Sequence, residues 1–385
     1  MNDIRLFFAG DFVSRPSTSI LSVSDDLKAL ISSCDLRIIN FEAPLKPDVE
    51  VPPIFRERFY QHKDVPDFLM SIGFNLFSLA NNHICDWGDD GLKKTKSVFQ
   101  GLCFGAGTYE ESLQVHICEI NGVRIGFLAV CFAAYAGVFS DVMSREGLGC
   151  AYINDLAINH CILEARKKVD YLFVLPHDGI EYVSFPLPEL RARYRDFIDY
   201  GADGVIGTHP HCPQGWELYK GKPVFYSLGN FFFNSKENDL YRVTNRPHWY
   251  DGRCVVVTLT HGDMKWEVIN VRNRDNVCIE VDDREESNEY NNTICHILCD
   301  DNAYVAALNS LCEEIGYHRE MRILDKTVHA FHLKESFQQI LLCLKDKVLC
   351  RKKTENMVNY SVFRLLSYDA RRDLIKRSLM SHFKD

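Results

Sequence analysis

The sequence predicts a layered α/β protein with a C-terminal helical appendage, and two patterns support this fold class. Short apolar runs that end in turn or polar residues alternate with segments of helical period through the first half of the chain, as in α/β architectures. Later runs follow one another without helices between them, which indicates an antiparallel part of the sheet. A chain of 385 residues, 46% hydrophobic and 25% charged, can bury a large globular core.

The elements follow from these patterns. Strands are predicted where short apolar runs end in polar residues, at 4–9, 36–40, 75–80, 123–130, 171–176 and 204–208. Helices are predicted between them, where apolar residues recur three and four positions apart, at 24–33, 64–72, 89–100, 153–168 and 187–200. The consecutive strands are "KPVFYSL" at 222–228, "RCVVVTLT" and "KWEVINV".

Composition divides the chain into three predicted regions. Residues 1–280 form the α/β domain, and residues 281–292, "VDDREESNEYNN", are polar and acidic enough to be a linker. Residues 293–385 have helical period and are expected to form a separate helical region, which could dock a protein partner.

Charge and composition also exclude several classes of protein. A formal net charge of -9 and a pI near 5.9 argue against a nucleic-acid partner. No segment approaches the ~20 apolar residues of a membrane span. The start "MNDIRLFFAGD" has no basic leader, and the fifteen cysteines include no Cys-x-x-Cys pair. We therefore expect a cytoplasmic protein with buried, reduced thiols.

Hydrogen-bonding and metal-ligating side chains follow five of the predicted strands. They are Asp11, Glu42, Asn82 with His83, His177, and the pair His209 and His211. Each alone could be an ordinary turn, a capped helix start or a solvated strand end. In open α/β sheets, however, ligands bind outside the carboxyl ends of the strands, so the set indicates a common site.

The residue types at these positions favour a metal site. Carboxylate oxygens, an asparagine carbonyl and neutral imidazoles suit divalent ions, and the absence of cysteine argues against structural zinc. His209 and His211 are two residues apart, so both rings face one side of an extended segment. One or two divalent ions are expected, with Mn, Zn or Fe the candidates.

The sequence resembles the CapA-type capsule-synthesis (poly-gamma-glutamate biosynthesis) family, whose fold is that of calcineurin-like metallophosphoesterases. The resemblance covers roughly residues 4 to 235. It depends on the motifs "GDFVSR", "NFEAPL", "LANNHICDWGDDG", "HDGIEY", "GTHPHCPQ" and "YSLGNFFF", which occur in the family's order. It implies a metallophosphoesterase-like sandwich of mixed sheets flanked by helices.

The resemblance also implies roles for individual residues. One metal would be held by Asp11, Glu42 and His211, and a second by Glu42, Asn82, His177 and His209. His83 would act as general acid or as a donor to transition-state oxygens, with Asp86 fixing its loop. Glu181 and Gln214 would be substrate or orienting groups, and Arg15 and Asn230 would contact substrate, unless Asn230 merely caps a turn.

Three positions depart from the family pattern. Val13 stands where typical metallophosphoesterases have the histidine of Asp-x-His, so the first metal would lose a ligand. Asp178 replaces the usual Trp after His177, and Arg15 lies one residue closer to Asp11 than usual. These departures bear on the substrate more than on the fold.

Two functions follow as hypotheses. The first is a metal-dependent hydrolase or transferase in capsule or surface-polymer metabolism, acting on a small-molecule or polymer substrate that contains a phosphoester or an amide. The alternative is a non-catalytic assembly component with a structural or vestigial metal site. Retention of every expected ligand type except the histidine replaced by Val13 favours the enzyme.

Overall fold

The computed structural model describes residues 3–48, 59–133, 137–140, 146–234, 246, 248–260 and 262–312. The chain divides into two units, Met1–Cys299 and Asp300–Asp385, and the second is described as far as residue 312. Within the described ranges, no helix combines the length and the apolar character needed to cross a bilayer.

The first unit contains strands and helices in alternation. Its strands are β1 Ile4–Ser14, β2 Ser22–Val23, β3 Leu36–Phe41, β4 Leu76–Ser78, β5 Cys103–Phe104, β6 Ala106–Gly107, β7 His116–Ile120, β8 Val123–Cys131, β9 Gly149–Cys150, β10 Tyr171–His177, β11 Gly204–Ile206, β12 Trp216–Tyr219, β13 Lys222–Phe225, β14 Asn230–Asn234, β15 Asp251–Thr260, β16 Asp263–Arg274 and β17 Cys278–Val281. Its helices are α1 Asp25–Ser32, α2 Val65–Ser71, α3 Gly88–Phe99, α4 Tyr109–Ser112, α5 Leu156–Arg166, α6 Pro188–Tyr200 and α7 Glu285–Cys299. The second unit contributes α8 Asp301–Leu311.

The strands form two large mixed sheets. In the first, the order is β2-β17-β16-β15-β1-β3-β4-β5, and β14 also pairs with β1. Strands β1, β3, β4 and β5 are parallel, and β15 to β17 add an antiparallel part. The second sheet has the order β12-β13-β11-β10-β8-β7, with β8, β10, β11 and β13 parallel. The predicted α/β sandwich of mixed sheets is confirmed.

Aromatic side chains join the two sheets. The ring centroid of Phe8 on β1 lies 5.4 Å from that of Phe173 on β10 and 6.3 Å from that of Phe127 on β8. All three side chains are buried. The core between the sheets therefore aligns β1 with β8 and β10, so that strands from both sheets run into one region.

Local sequence signals set the helix ends. Asp155 caps α5, where its side chain accepts a hydrogen bond from the backbone N–H of Ala157 at 2.9 Å. Pro188 opens α6, and Gly201, with φ of 121°, ends it. The predicted helices therefore begin and end within a few residues of the observed ones.

The structure corrects the predicted acidic linker at 281–292. Strand β17 ends at Val281, and helix α7 begins at Glu285 and continues to Cys299. Only a narrow stripe of α7 is buried, formed by Asn291, Ile294 and Leu298. A helix that exposes most of its surface has the composition of a linker, so composition could not distinguish the two. A protein partner for the C-terminal helices stays a prediction, since residues 313–385 lie outside the described ranges.

A charged network joins α6, β12 and α7. Glu217 accepts hydrogen bonds from Arg191 at 2.6 Å, from Arg195 at 2.7 Å and from the Tyr226 hydroxyl at 2.6 Å. Arg191 also donates to the carbonyl of Leu298 at 2.6 Å. Burial alone would raise the pKa of Glu217, but these hydrogen bonds outweigh it and lower the pKa to about 2.

This network predicts a pH-dependent contribution to stability. Because the folded pKa of Glu217 lies below the ordinary value of 4.5, the stabilisation is present above pH 4.5 and is lost as pH falls toward 2. Because the network is partly exposed to solvent, we expect it to contribute about 2 kcal/mol to the free energy of unfolding. Urea unfolding should show wild type more stable than Glu217→Gln at pH 6, with the difference shrinking below pH 4.5. A stability difference between wild type and Glu217→Gln that stays constant across this pH range would contradict the prediction. The control is Glu119→Gln, because Glu119 is an exposed glutamate on β7.

Candidate metal centre

Three of the predicted ligand residues come from the first sheet. Asp11 lies on β1, Glu42 directly follows β3, and Asn82 lies just beyond β4. All three are buried, with exposed fractions of 0%, 0% and 4%. The parallel strands β1, β3 and β4 therefore deliver these oxygen donors to the same end of the sheet.

The other three come from the second sheet. His177 is the last residue of β10, and His209 and His211 lie in the loop that follows β11. We call residues 207–215 the histidine loop. His177, His209 and His211 are also buried. The site thus lies where the carboxyl ends of strands from two different sheets meet.

Gly10 permits a close approach of chains beside the site. A Cβ atom at this position would lie 2.0 Å from the carbonyl oxygen of Gly229. The next residue, Asp11, donates its backbone N–H to that oxygen at 3.0 Å. Any larger side chain would force β1 and the start of β14 apart and would displace Asp11.

The side chains form two donor groups that share one carboxylate. In each group one ligand atom per residue lies within 4.8 Å of the others. The groups are Glu42, His177 and His209, and Asp11, Glu42 and His211. Glu42 Oε1 lies 3.7 Å from Nε2 of His177 and 3.7 Å from Nε2 of His211, so this carboxylate faces both groups.

Hydrogen bonds orient His177. Its Nδ1 lies 2.9 Å from the Thr208 hydroxyl and 3.2 Å from Nδ2 of Asn40. Its Nε2 lies 2.8 Å from Oδ1 of Asn82 and 3.2 Å from Nδ1 of His209. The Nε2 edge therefore points at the other donors while the Nδ1 edge is held from behind, as metal-binding imidazoles require.

Asp11 and His211 are oriented in the same way. Asn40 donates to Oδ1 of Asp11 at 2.7 Å, and the backbone N–H of His209 donates to Oδ2 at 3.1 Å. Nδ1 of His211 lies 3.0 Å from Oδ1 of Asn230. Because Asn230 also donates to the carbonyl of Trp249 at 3.0 Å, the amide is held rigidly behind the imidazole.

The electrostatics of the cluster fit a divalent cation. Burial, together with the neighbouring Asp11, raises the pKa of Glu42 well above its usual range, and burial raises the pKa of Asp11 to about 7. Burial lowers the pKa of His211 to about 4 and lowers that of His177 as well. Two carboxylates and neutral imidazoles can be held at this depth when a cation lies among them.

Glu42 supplies the sharpest test of this fit. Both of its carboxylate oxygens are buried, and neither has a hydrogen-bond partner among the described residues. A buried polar atom without a partner costs free energy, so native proteins rarely contain one without a reason. A carboxylate that faces two groups of donors and bonds to none of them suits a bridging metal ligand.

The backbone around the ligands is in a sparsely populated conformation. Ala43, directly after Glu42, has φ of 98°, and His209 and His211 have φ of 102° and 55°. Side chains rarely adopt positive φ, and such strain concentrates at functional sites, where the surroundings must enforce it. The orientation of these ligands therefore depends on contacts made by the rest of the histidine loop.

His83 lies at the edge of the cluster. Its Nδ1 is 2.9 Å from Oδ2 of Asp86, which also accepts the backbone N–H of Phe59 at 2.7 Å. The Phe59 ring lies 4.5 Å from the His83 ring and 5.8 Å from that of Phe233, which lies 4.9 Å from His211. Asp86 thus orients both the His83 ring and the backbone at Phe59.

The remaining predicted site residues differ in exposure. Gln214 is buried and donates to the carbonyl of Val183 at 2.7 Å, and the buried Asn230 orients His211, so both contact protein groups. Glu181 and Arg15 are partly exposed. The Arg15 guanidinium lies 5.0 Å from the ring centroid of Tyr60.

Val13 belongs to an apolar cluster beside His211. It is fully buried and packs with Phe233 and Trp249, and the Trp249 ring lies 5.4 Å from that of His211. Hydrocarbon therefore occupies the side of the Asp11 group where the typical pattern has an imidazole.

Two orienting residues escaped the sequence analysis. Asn40 contacts both Asp11 and His177, and Thr208 contacts His177. Both lie within quoted motifs, Asn40 in "NFEAPL" and Thr208 in "GTHPHCPQ". That position was the available signal, but only the packing of the two sheets shows which side chain each one touches.

Fold and site together define a class, the layered α/β proteins with a buried carboxylate and histidine cluster at the joined edges of two sheets. Within it, the model of the family described as "Bacterial capsule synthesis protein PGA_cap" matches residues 5–235. The chain belongs to this family, as the motifs predicted.

Two bacterial relatives and one solved structure are similar to this chain. The capsule biosynthesis protein CapA of Bacillus anthracis is 35% identical over 170 residues, 42% of this chain and 41% of that protein. The PGA biosynthesis protein CapA of Bacillus subtilis (strain 168) is 30% identical over 219 residues, 55% of this chain and 57% of that protein. The chain thus spans about half the length of these relatives. A phosphatase of Mycoplasma pneumoniae is similar in structure, with a TM-score of 0.43 and 17% identity, covering 71% of this chain and 95% of that one.

Proposed function

We propose that this protein is a metal-dependent hydrolase or transferase of the metallophosphoesterase-like class that acts in capsule or surface-polymer metabolism. The observation that carries the proposal is Glu42, a buried carboxylate with no hydrogen-bond partner among the described residues, between two groups of donors. The family and the capsule biosynthesis relatives support the metabolic role.

The residues would divide the work as follows. Glu42, Asn82, His177 and His209 would hold one divalent ion, and Asp11, Glu42 and His211 would hold the other. Ions bound there would supply Lewis-acid polarisation of a phosphoryl or acyl oxygen. Asn40, Thr208 and Asn230 would keep the ligating atoms pointed inward.

His83 is the candidate proton donor. Its Nδ1 is paired with Asp86, which sets the orientation of the ring. At the edge of the cluster and partly exposed, His83 would donate a proton from Nε2 to a leaving group.

Cationic and aromatic groups beside the site favour an anionic substrate. The guanidinium of Arg246 lies 4.3 Å from the ring centroid of Tyr182 and 5.2 Å from that of Trp249. The Tyr182 ring lies 6.3 Å from that of His211. With Arg15 on the Phe59 side, 5.7 Å from that ring, these groups would attract a phosphoester or a carboxylate-bearing polymer.

Metal analysis followed by an activity screen tests the proposal. The purified full chain should contain Mn, Zn or Fe, and with Mn²⁺ or Zn²⁺ added it should hydrolyse phosphoesters or amide-linked glutamate oligomers. Protein stripped with a chelator should be inactive until metal is restored. Bound metal without turnover of either substrate class would instead support the non-catalytic assembly role.

The two donor groups should bind metal with unequal affinity. In the Glu42, His177 and His209 group, Oδ1 of Asn82 also lies 2.8 Å from Nε2 of His177. The Asp11 group has the apolar side chain of Val13 on the same strand. A site with fewer ligands, and fewer nitrogen ligands, binds a divalent transition metal more weakly. We therefore expect the dissociation constants of the two sites to differ by about tenfold or more. Calorimetric titration of Mn²⁺ into stripped protein should show two transitions. His209→Ala should remove the tighter one and His211→Ala the weaker one, whereas two equal sites in wild type would contradict the prediction.

A further inference from the structure

Helix α7 touches the histidine loop directly. The hydroxyl of Tyr290 donates to the carbonyl oxygen of Pro213 at 2.9 Å. At Gly215 the two backbones come so close that a Cβ atom would lie 2.7 Å from the carbonyl oxygen of Ile294. The carboxyl-terminal half of the histidine loop therefore packs against α7.

A buried arginine makes a second connection. Arg253 on β15 is 1% exposed, and its guanidinium donates both to the carbonyl oxygen of Gln214 and to Oδ1 of Asn291 on α7. Asn291 is held in turn, since its Nδ2 donates to Oδ1 of Asn270 at 2.7 Å. A fully buried guanidinium is tolerated where such partners are fixed, and Arg253 thus connects α7 to the backbone of Gln214.

These contacts lie next to the strained ligands. Pro213 is two residues after His211, and the positive φ of His209 and His211 persists only if surrounding contacts over-determine it. The amino-terminal end of the histidine loop is held by the pairing of His177 with Thr208. At the other end, Tyr290 and Arg253 donate to the loop carbonyls of Pro213 and Gln214, and Asn291 accepts a hydrogen bond from Arg253.

We propose that α7 is a positioning element of the metal centre, in which Tyr290 and the Asn291–Arg253 pair hold the histidine loop so that His209 and His211 face Glu42. The inference rests on the proposed metal-dependent function. Helix α7 lies within the first unit, so the inference concerns contacts inside that unit.

The test is Tyr290→Phe in the full chain. This change removes only the hydroxyl and leaves the ring, which stacks on His248 with centroids 3.7 Å apart. The matched control is Tyr171→Phe, which also removes a hydroxyl that donates to a backbone carbonyl, that of Thr260 at 3.2 Å. Tyr171 begins β10 and His177 ends it, so the control lies roughly 20 Å from the site.

Two measurements separate positioning from general stability. Calorimetry with Mn²⁺ on stripped protein should show affinity about fivefold weaker in Tyr290→Phe, the effect of losing one neutral hydrogen bond. Hydrogen exchange of the metal-free protein should show faster exchange of the amides of residues 207–215 by a similar factor. Tyr171→Phe should change neither, and the melting temperatures of the two variants should be alike.

The outcomes distinguish this inference from the proposed function. Unchanged exchange of residues 207–215 in Tyr290→Phe would overturn the positioning role, as would equal effects in both variants. If wild type binds no divalent metal, the proposed function fails, while the exchange measurement still decides whether α7 holds the loop.

Discussion

Replacing Glu42 by glutamine is expected to abolish metal binding at both positions of the cluster. Both donor groups contain Glu42, so a single change removes a ligand from each. The amide is nearly isosteric but carries no charge and offers one oxygen in place of two. Loss of a residue that only orients a metal ligand weakens metal binding by up to about 100-fold. Because Glu42 would be a ligand itself, we expect the affinity for Mn²⁺ to fall by more than this.

Glu42→Gln also has an expected signature in the metal-free protein. Because burial raises the folded pKa of Glu42, the folded protein binds a proton that the unfolded chain releases above about pH 4.5. That protonation stabilises the fold at low pH, and the stabilisation is lost as pH rises through the folded pKa. Metal-free Glu42→Gln should therefore unfold at a temperature equal to or above that of metal-free wild type at pH 8.

Glu119→Gln, on the exposed edge of β7, provides the control, and it should bind metal as wild type does. Retention of either metal-binding transition by Glu42→Gln would mean that Glu42 is not shared. A lower melting temperature of the metal-free variant at pH 8 would mean that the carboxylate has a stabilising partner of its own.

His83→Gln is expected to lower kcat by about 10²- to 10⁴-fold while leaving metal content unchanged, the range for loss of a general acid. His83 belongs to neither donor group, and its partner is Asp86. The measurement is kcat on whichever substrate the screen identifies, with metal content determined on the same samples. A leaving group of low pKa needs little protonation, so the loss should be smaller for such substrates.

His62→Gln is a matched control for His83→Gln, since His62 also pairs with an aspartate, Asp64, at 2.8 Å. It should leave kcat unchanged. An equal kcat in wild type and His83→Gln on substrates with poor leaving groups would exclude His83 as the proton donor. Loss of bound metal in His83→Gln would instead make it a ligand.

Much of the candidate metal centre could be predicted from the sequence because strand ends carry local signals. An apolar run that stops at Asp11, Glu42 or His177 identifies both the strand and the side chain at its carboxyl end. Within each sheet the parallel arrangement brings the carboxyl ends of the strands to one edge, but only the packing of the two sheets brings His177 close to Asp11 and Glu42. Composition was less informative for α7, whose buried stripe is too narrow to distinguish it from a linker.

The sequence by itself determined the α/β class, the family, the approximate ends of the elements and the side chains that follow each strand. These depend on hydrophobic period, capping residues and short motifs, all of which act between near neighbours. The tertiary structure alone decided which strands belong to each of the two sheets, that Asn40 and Thr208 contact the donor residues, and that α7 contacts the histidine loop. These features depend on pairings between distant residues, such as Asp11 with Asn230 across β1 and β14. No local pattern records them, because they are set by which surfaces can pack together in the folded core.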